Sequence, residues 1–172
     1  MQPPHPSIGK PDGEKRRTLT DEGLEDRVAA LEESEPGEIH RAQARAVAIH
    51  AAVQEARTTG DVEAVRADLT ATAAAVVEGQ VWRYAAHGLQ RHRTDVTVQQ
   101  VEPARITEDG SGTILVVRLQ GTLKDLVYDT AGTLVGEQTL DPYRFSEYVT
   151  LYRPEGGAWL LHQIDDDLVF TL

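Results

Sequence analysis

Apolar residues near the start of the chain recur with helical spacing. Leu24, Val28 and Leu31 lie at i, i+4 and i+7, which predicts a short amphipathic helix that ends at Pro36 and Gly37. Three helical turns are marginally stable alone, so this apolar stripe needs a surface to lie on. That surface is either the protein's own domain or a partner protein.

A second run predicts a longer helix from about residue 39 to residue 59, because small apolar side chains repeat on one face and Gly60 follows. An alanine-rich stretch over 61–79 predicts a third helix, and VWRYAAHGLQRHRT is expected to extend it as a further helical piece to Thr94. The residues of the second helix's face are Ala42, Ala46, Ile49, Val53 and Ala56.

From Asp95 onward, apolar and polar residues alternate, which is typical of strands. One strand candidate spans 95–106 and is broken by Pro103, and after the turn EDGSG a longer strand spans 113–129. Gly121 in its middle predicts a bulge or bend. A last hairpin pairs RFSEYVTLY with AWLLHQI. Helices followed by a strand meander indicate an α+β fold. The face of the long strand expected in the core holds Leu115, Val117, Leu119 and Leu123.

Composition narrows the possible functions. The 172 residues carry a formal net charge of −11, which repels phosphate backbones and anionic headgroups, so we expect no nucleic acid partner and at most peripheral membrane contact. The chain has no cysteine, which excludes disulfides and thiolate metal sites. Residues 1–17 hold four prolines and few large apolar groups, and are predicted to be a disordered tail. Without an apolar leader in that tail, the chain is expected to be cytoplasmic.

Motifs for common chemistries are missing from the sequence. It lacks GxxxxGK[ST], GxGxxG, GxSxG and HExxH, so nucleotide, hydrolase-elbow and zincin chemistry have no support. His87 and His92 are five residues apart, whereas two ligands on one helical face need i, i+4 spacing and a third partner. We therefore predict no metal and no cofactor.

Aromatic residues cluster on or beside the predicted sheet. Tyr148 and Tyr152 are four residues apart on one strand and share a face, and Trp159 begins the partner strand. They fit ordinary core packing or the lining of an apolar pocket between sheet and helices. The candidate pocket residues are Trp82, Tyr84, Tyr128, Tyr148, Tyr152 and Trp159.

The segment from KDLVYD to AWLLHQI resembles the C-terminal signature of the Tim44-like family, which is named after a mitochondrial import scaffold. The matching features are the dipeptide KD, then a glycine-containing excursion and the final hairpin. Upstream, ARTTGDVEAVRADLTATAAAV resembles the family's helix, Gly-Asp turn and second helix. The likeness covers roughly residues 40–165. The matching side chains are Tyr128, Asp129, Phe145, Glu147, Tyr148, Trp159, Leu160, Leu161 and Ile164.

The resemblance implies a cone-shaped cystatin-like or nuclear-transport-factor-2-like (NTF2-like) fold, in which helices cover a curved antiparallel sheet around an apolar cavity. It also implies a non-enzymatic scaffold that holds a partner protein or a lipid-like ligand. We therefore divide the chain into the tail at 1–17, an acidic arm at 18–37 and the α+β domain at 38–172. A homodimer through the sheet is a further possibility. We expect the concave wall to be apolar, with no catalytic group.

Two alternatives stay open. Related folds host isomerases and cyclases that pair a pocket carboxylate or histidine with a tyrosine, for which Glu147, Tyr128, His87 and Asp95 are the candidates. Because Glu147 and Tyr148 alternate along a strand, only one of the two can face the pocket. Alternatively, the chain is an accessory subunit or cargo of a larger assembly, docked by Leu24, Val28 and Leu31 of its arm.

Overall fold

A computed structural model describes residues 23–166, and the tail predicted at 1–17 lies outside these residues. Three α-helices and one 3₁₀ helix precede four strands. The helices are α1 (Leu24–Ser34), α2 (Glu38–Thr59), the 3₁₀ helix (Glu63–Asp68) and α3 (Ala71–Ala86). The strands are β1 (Leu89–Asp109), β2 (Gly112–Asp129), β3 (Tyr143–Pro154) and β4 (Leu160–Asp166).

The strands form one antiparallel sheet in the order β1-β2-β3-β4, so each strand pairs with its sequence neighbours. The helices pack against one face of this curved sheet, which confirms the predicted α+β class. The turn at EDGSG and the final hairpin also lie where the sequence predicts them.

The core lies between α2 and the inner face of the sheet. All five residues of the predicted α2 stripe are buried, as are Leu115, Val117, Leu119 and Leu123 on β2, which confirms both patterns. Phe145, Val149 and Leu151 of β3 and Leu161 of β4 extend the same cluster.

Curvature of the sheet comes from irregularities in β1. Its pairing with β2 shifts register between Thr94 and Thr97, between Val98 and Gln100, and after Pro103. Gly121 pairs with Val98 between two of these shifts, so the irregularity lies in the partner strand opposite the glycine, and the bend predicted in β2 itself stays a prediction. Pro103 does not break the strand as predicted; it is accommodated at a bulge on an edge strand, where proline is tolerated.

Residues 61–94 differ most from the sequence prediction. The stretch 61–79 forms a 3₁₀ helix and then α3, which starts after Thr70 because the Thr70 hydroxyl accepts a hydrogen bond from the amide of Ala73. The predicted helical extension continues to Ala86, but its end at Thr94 is wrong, since residues 89–94 begin β1. Arg91 and Arg93 face inward there, so charge replaces the apolar alternation that marks a strand.

A cluster of polar contacts joins α1 and α2 to the last hairpin. The Glu38 carboxylate accepts hydrogen bonds from Trp159 Nε1 at 2.6 Å and from Arg153 Nη1 at 2.8 Å. Arg153 also bonds Glu35 and stacks over the Trp159 ring. This Glu38–Arg153–Trp159 latch fixes the entrance to α2 against β3 and β4.

We expect Trp159→Phe to lower the free energy of unfolding by about 2 kcal/mol, because a charge-assisted hydrogen bond is lost together with part of the buried ring. Urea unfolding followed by circular dichroism measures the change. Tyr152→Phe is the matched control, since its hydroxyl bonds Ser111 at an exposed position. Equal effects of the two substitutions would contradict a structural role for the latch.

Candidate functional site

A solvent-open groove of about 290 Å³ lies between the end of α2, the last turns of α3 and the start of β1. Arg57 and Arg91 supply two guanidinium groups to its lining. Thr58, Thr59, Gln80 and Gln90 supply neutral polar groups, and Val81, Tyr84, Ala85 and Leu89 supply apolar surface. The lining of this groove therefore combines positively charged, neutral polar and apolar side chains.

Two turns bring these three elements together. Gly60 ends α2 with φ of 82°, a left-handed conformation that glycine adopts without strain. Gly88, with φ of 67°, reverses the chain between α3 and β1, so the start of β1 returns beside the last turn of α3. Thr58 Oγ1 accepts a hydrogen bond from the amide of Arg93 at 2.9 Å, which ties α2 to β1 behind the groove.

Beneath the groove, five polar side chains form a buried cluster between α2 and the sheet. His50 Nε2 lies 2.5 Å from Glu147 Oε2, and both residues are almost fully buried. Arg93 Nη1 lies 3.5 Å from Glu147 and 3.2 Å from Gln54 Oε1, while its Nε donates to Asp125 at 3.1 Å. The concave wall is therefore charged at this end, contrary to the uniformly apolar wall that we expected.

Both carboxylates of this cluster are stabilised in the ionised form. Burial by itself raises the pKa of Glu147, but the hydrogen bond to His50 and the charge of Arg93 outweigh it, so the pKa is lowered. Burial likewise raises the pKa of Asp125, and bonds from Arg91 and the charge of Arg93 bring it below its ordinary value. Neither group has the raised pKa that a general acid needs near neutral pH.

These shifts predict acid sensitivity. A carboxylate whose folded pKa is depressed contributes stability above its unfolded pKa, about 4 for Asp and Glu, and this contribution is lost as pH falls through the folded value. We expect the free energy of unfolding to decline below about pH 4.5, and Glu147→Gln to show a shallower decline. Urea titrations between pH 3 and 7 measure both. Parallel curves for the two proteins would contradict the role given to Glu147.

The outer face of the sheet has no described helix over it. On this face, Val116 is opposite Thr150, Ile114 is opposite Tyr152, and Tyr152 is opposite Leu160 across three neighbouring strands. All five side chains are half-buried. Apolar and aromatic side chains on an uncovered sheet form a surface that a protein partner can cover. We call this surface the open sheet face.

A match to a known domain family identifies the family of this chain. The Tim44-like domain matches residues 41–166, about three quarters of the chain. The chain belongs to the Tim44-like domain family. Its helices on a curved antiparallel sheet are consistent with the NTF2-like fold of Tim44-like domains, which confirms the predicted resemblance. Membership suggests a non-enzymatic scaffold or binding role, and Tim44-like domains are generally protein-interacting scaffolds.

One solved structure similar to this Tim44-like domain is the intermembrane space region of the chloroplast protein ARC6. The two share 14% sequence identity with a TM-score of 0.49, and the match covers 72% of this chain and 95% of the ARC6 region. No curated protein matches the chain in sequence. Within residues 23–166, no helix has the length and hydropathy needed to span a membrane.

The six aromatic residues predicted to line one pocket are distributed over several parts of the Tim44-like domain. Tyr84 lines the groove, whereas Trp82 is 71% exposed on the outside of α3. Trp159 is buried in the latch. The strand register places Tyr128, Tyr148 and Tyr152 on the outer face of the sheet. The structure does not bring these six around one cavity, and their ligand-binding role stays a prediction.

The four candidate catalytic residues are also separated. Glu147 faces inward to His50, so Tyr148 faces outward, which resolves the alternative posed by their alternation. Tyr128 packs on the outer face, His87 is exposed at the end of α3, and Asp95 is exposed at the first β1 irregularity. Their separation gives no shared reaction centre.

The stripe predicted for partner binding by the arm lies against the protein's own domain. Leu31 is buried in the core cluster, and Leu24 and Val28 pack beside it. The Glu32 carboxylate accepts hydrogen bonds from the amides of Gly37 and Ile39, which joins α1 to α2. Leu31 is therefore not accessible to a partner, whereas Leu24 and Val28 are half-buried. Partner binding through this stripe stays a prediction.

Sequence reasoning missed His50, Gln54, Arg93 and Asp125. A signal was present for three of them: His50 and Gln54 are spaced i, i+4 beside the apolar stripe of α2, and Asp125 continues the inward alternation of Leu119 and Leu123. Buried polar groups need hydrogen-bond partners. When a helix and a strand both carry polar residues at core-facing positions, we therefore expect these residues to pair with each other.

Proposed function

We propose that this Tim44-like domain is a non-enzymatic module that holds a partner protein on its open sheet face. The observation that carries the proposal is the row of half-buried apolar and aromatic side chains at Ile114, Val116 and Tyr152 with no described helix above it. The opposite face of the same strands is fully covered by α2 and the core. The predicted lipid-like ligand and cytoplasmic location stay proposals of lower priority.

The buried cluster argues against the enzymatic alternative. His50 and Glu147 form an oriented imidazole–carboxylate pair, which can serve as a general base, yet their exposed fractions are 0% and 2%. Asp125 lies 3.4 Å from the Tyr143 hydroxyl, but two arginines hold it in the ionised form. A substrate cannot reach Glu147 without displacing buried ion pairs.

Site-specific photo-crosslinking tests the proposal. A benzoylphenylalanine at position 150, in the centre of the open sheet face, is expected to form an adduct with one defined protein in cells of the source organism. The same group at Ala64, exposed on the 3₁₀ helix, is the control. An adduct of twice 18.9 kDa would identify a second copy of the chain and so the predicted homodimer.

The proposal also predicts the effect of charge on this face. Val116→Glu should abolish the adduct at position 150 while far-ultraviolet circular dichroism stays unchanged, because the side chain points away from the core. Adducts at position 150 no more frequent or defined than at position 64 would overturn the proposed function.

A further inference from the structure

The outer edge of β1 is open beyond its last irregularity. β1 pairs with β2 on one side and with no other strand in the described part of the chain. Side chains of α2 cover its outer edge at two points, where Thr58 bonds the backbone of Arg93 and Gln43 donates to the carbonyl of Val101. Along Arg105–Asp109, no described residue forms a hydrogen bond of this kind with the outer edge.

This open stretch is suited to the addition of a strand. Edge strands are commonly protected against added strands by bulges and prolines. In β1 the three register shifts and Pro103 all precede Arg105, whereas Arg105–Asp109 pairs with β2 without a shift. In an antiparallel pair, alternate residues direct their N–H and C=O groups away from the partner strand. The stretch therefore offers backbone donors and acceptors to an extended segment.

Helix α1 lies beside this edge and converts it into a groove. The α1–β1 groove has a volume of about 530 Å³, and its lining includes Ala30, Leu31 and Ser34 of α1 together with Ile106 and Thr107 of β1. A second copy that paired its own β1 here would bring its own α1 into the same space. The groove therefore fits a single extended segment better than a second copy of the domain.

One end of the α1–β1 groove is acidic. Glu108 lines this groove and also a second groove beside the hairpin turns, which contains Asp109 and Glu155. None of these three carboxylates forms an ion pair within residues 23–166, and Arg153, the basic residue of the second groove, is already paired with two other glutamates. Arg27, the basic residue of the first groove, lies about two helical turns from this end. A segment with positive charge at this end is therefore favoured.

We propose that the α1–β1 groove binds an extended segment of a partner protein that carries lysine or arginine at its N-terminal end. The segment adds to Arg105–Asp109 as an antiparallel fifth strand, since antiparallel pairing is slightly the more stable per residue. In that direction its basic residues lie beside Glu108 and Asp109, and the apolar side chains that follow contact Ala30 and Ile106. The site goes beyond the proposed function, because this edge and the open sheet face are different surfaces.

Calorimetric titration of the full chain with synthetic peptides tests the inference. The first probe is acetyl-Lys-Lys-Thr-Val-Thr-Val-Thr-amide, the second has glutamate in place of both lysines, and the third is the first peptide N-methylated at every residue after the lysines. We expect the second and third probes to bind at least about tenfold more weakly, because they lose charge complementarity and backbone donors respectively. Equal binding of the third probe would overturn strand addition, and equal binding of the second would overturn the assignment of a basic segment.

Matched variants locate the binding. Ala30→Trp fills the groove and should weaken the first probe at least about tenfold, whereas Ala29→Trp, exposed on the same helix outside the groove, should not. Far-ultraviolet circular dichroism should be unchanged in both. Glu108→Gln should also weaken the first probe, and Glu55→Gln, exposed on α2, should leave it unchanged. Equal effects of the two tryptophan variants would overturn the proposed site.

Two other occupants give different results. Lys15, Arg16 and Arg17 precede α1 in the sequence and carry the same charge. If replacing all three with glutamine tightens binding of the first probe at least about tenfold, the chain's own tail occupies the groove and the proposal is overturned. Light scattering that shows a dimer, which Ala30→Trp converts to a monomer, would assign the groove to a second copy and also overturn it.

The inference and the proposed function fail separately. Absence of peptide binding together with the expected adduct at position 150 rejects the inference alone. Peptide binding as expected, without a defined adduct at position 150, rejects the proposed function and supports the α1–β1 groove as a binding site.

Discussion

Replacing Glu147 with leucine is expected to lower the free energy of unfolding by about 3–5 kcal/mol. Glu147 is 2% exposed and lies 2.5 Å from His50 Nε2 and 3.5 Å from Arg93 Nη1. Leucine leaves the buried guanidinium of Arg93 with fewer acceptors. His50 loses its carboxylate partner and keeps only Gln54 at Nε2, while its Nδ1 has no partner within residues 23–166. Urea unfolding at pH 7 measures the loss.

Two further variants separate charge from packing. Glu147→Gln keeps the size and a hydrogen-bonding group, so it should destabilise the fold less than leucine does. Glu102→Leu, at an exposed position of β1, should change stability by no more than about 0.5 kcal/mol. A loss for Glu147→Leu as small as that of Glu102→Leu would show that the cluster is not required for stability.

Replacing Gly121 with alanine is expected to destabilise the protein by about 3 kcal/mol. A Cβ atom at this position would lie 1.9 Å from the carbonyl oxygen of Thr97 and 3.0 Å from Phe145 Cε1. The backbone oxygen cannot rotate away, so β1 must shift relative to β2 and the bend of the sheet changes. Thermal and urea unfolding both report the loss.

Gly79 provides the opposite control within the same chain. It lies in the interior of α3, and a Cβ there would have no atom within 4 Å among its described neighbours. Gly79→Ala should therefore raise the free energy of unfolding by about 0.5–1 kcal/mol through helix propensity. If both glycines respond alike, the close approach at Gly121 does not determine the curvature.

Elements that bury apolar side chains were predictable from the sequence. α2 begins and ends within a residue of its predicted bounds because Ala42 to Ala56 repeat on one face and Gly60 stops the helix. β2 follows its alternation of Leu115, Val117 and Leu119, and Gly121 lies opposite the irregular part of β1. In both cases the hydrophobic pattern and the local backbone preference agree.

Elements that bury charged side chains were not predictable in this way. The start of β1 places Arg91 and Arg93 inward, where they pair with carboxylates from other strands, so a pattern based on hydropathy assigns those residues to a helix. For the same reason the candidate groove was missed: its arginines come from α2 and from β1, 34 residues apart, and only the tertiary turn at Gly88 joins them. The aromatic pocket was inferred from residue type, but alternation sends Tyr148 and Tyr152 to the opposite face from Glu147.

The latch also has a consequence for the order in which the chain folds. Glu38 and Trp159 are 121 residues apart, so the entrance to α2 is fixed only when the last hairpin has formed. During synthesis the helices leave the ribosome first. Their alanine-rich faces stay uncovered by the sheet until nearly the whole domain has been made. A nascent chain stalled before position 159 would therefore expose its α2 stripe to chaperones and proteases.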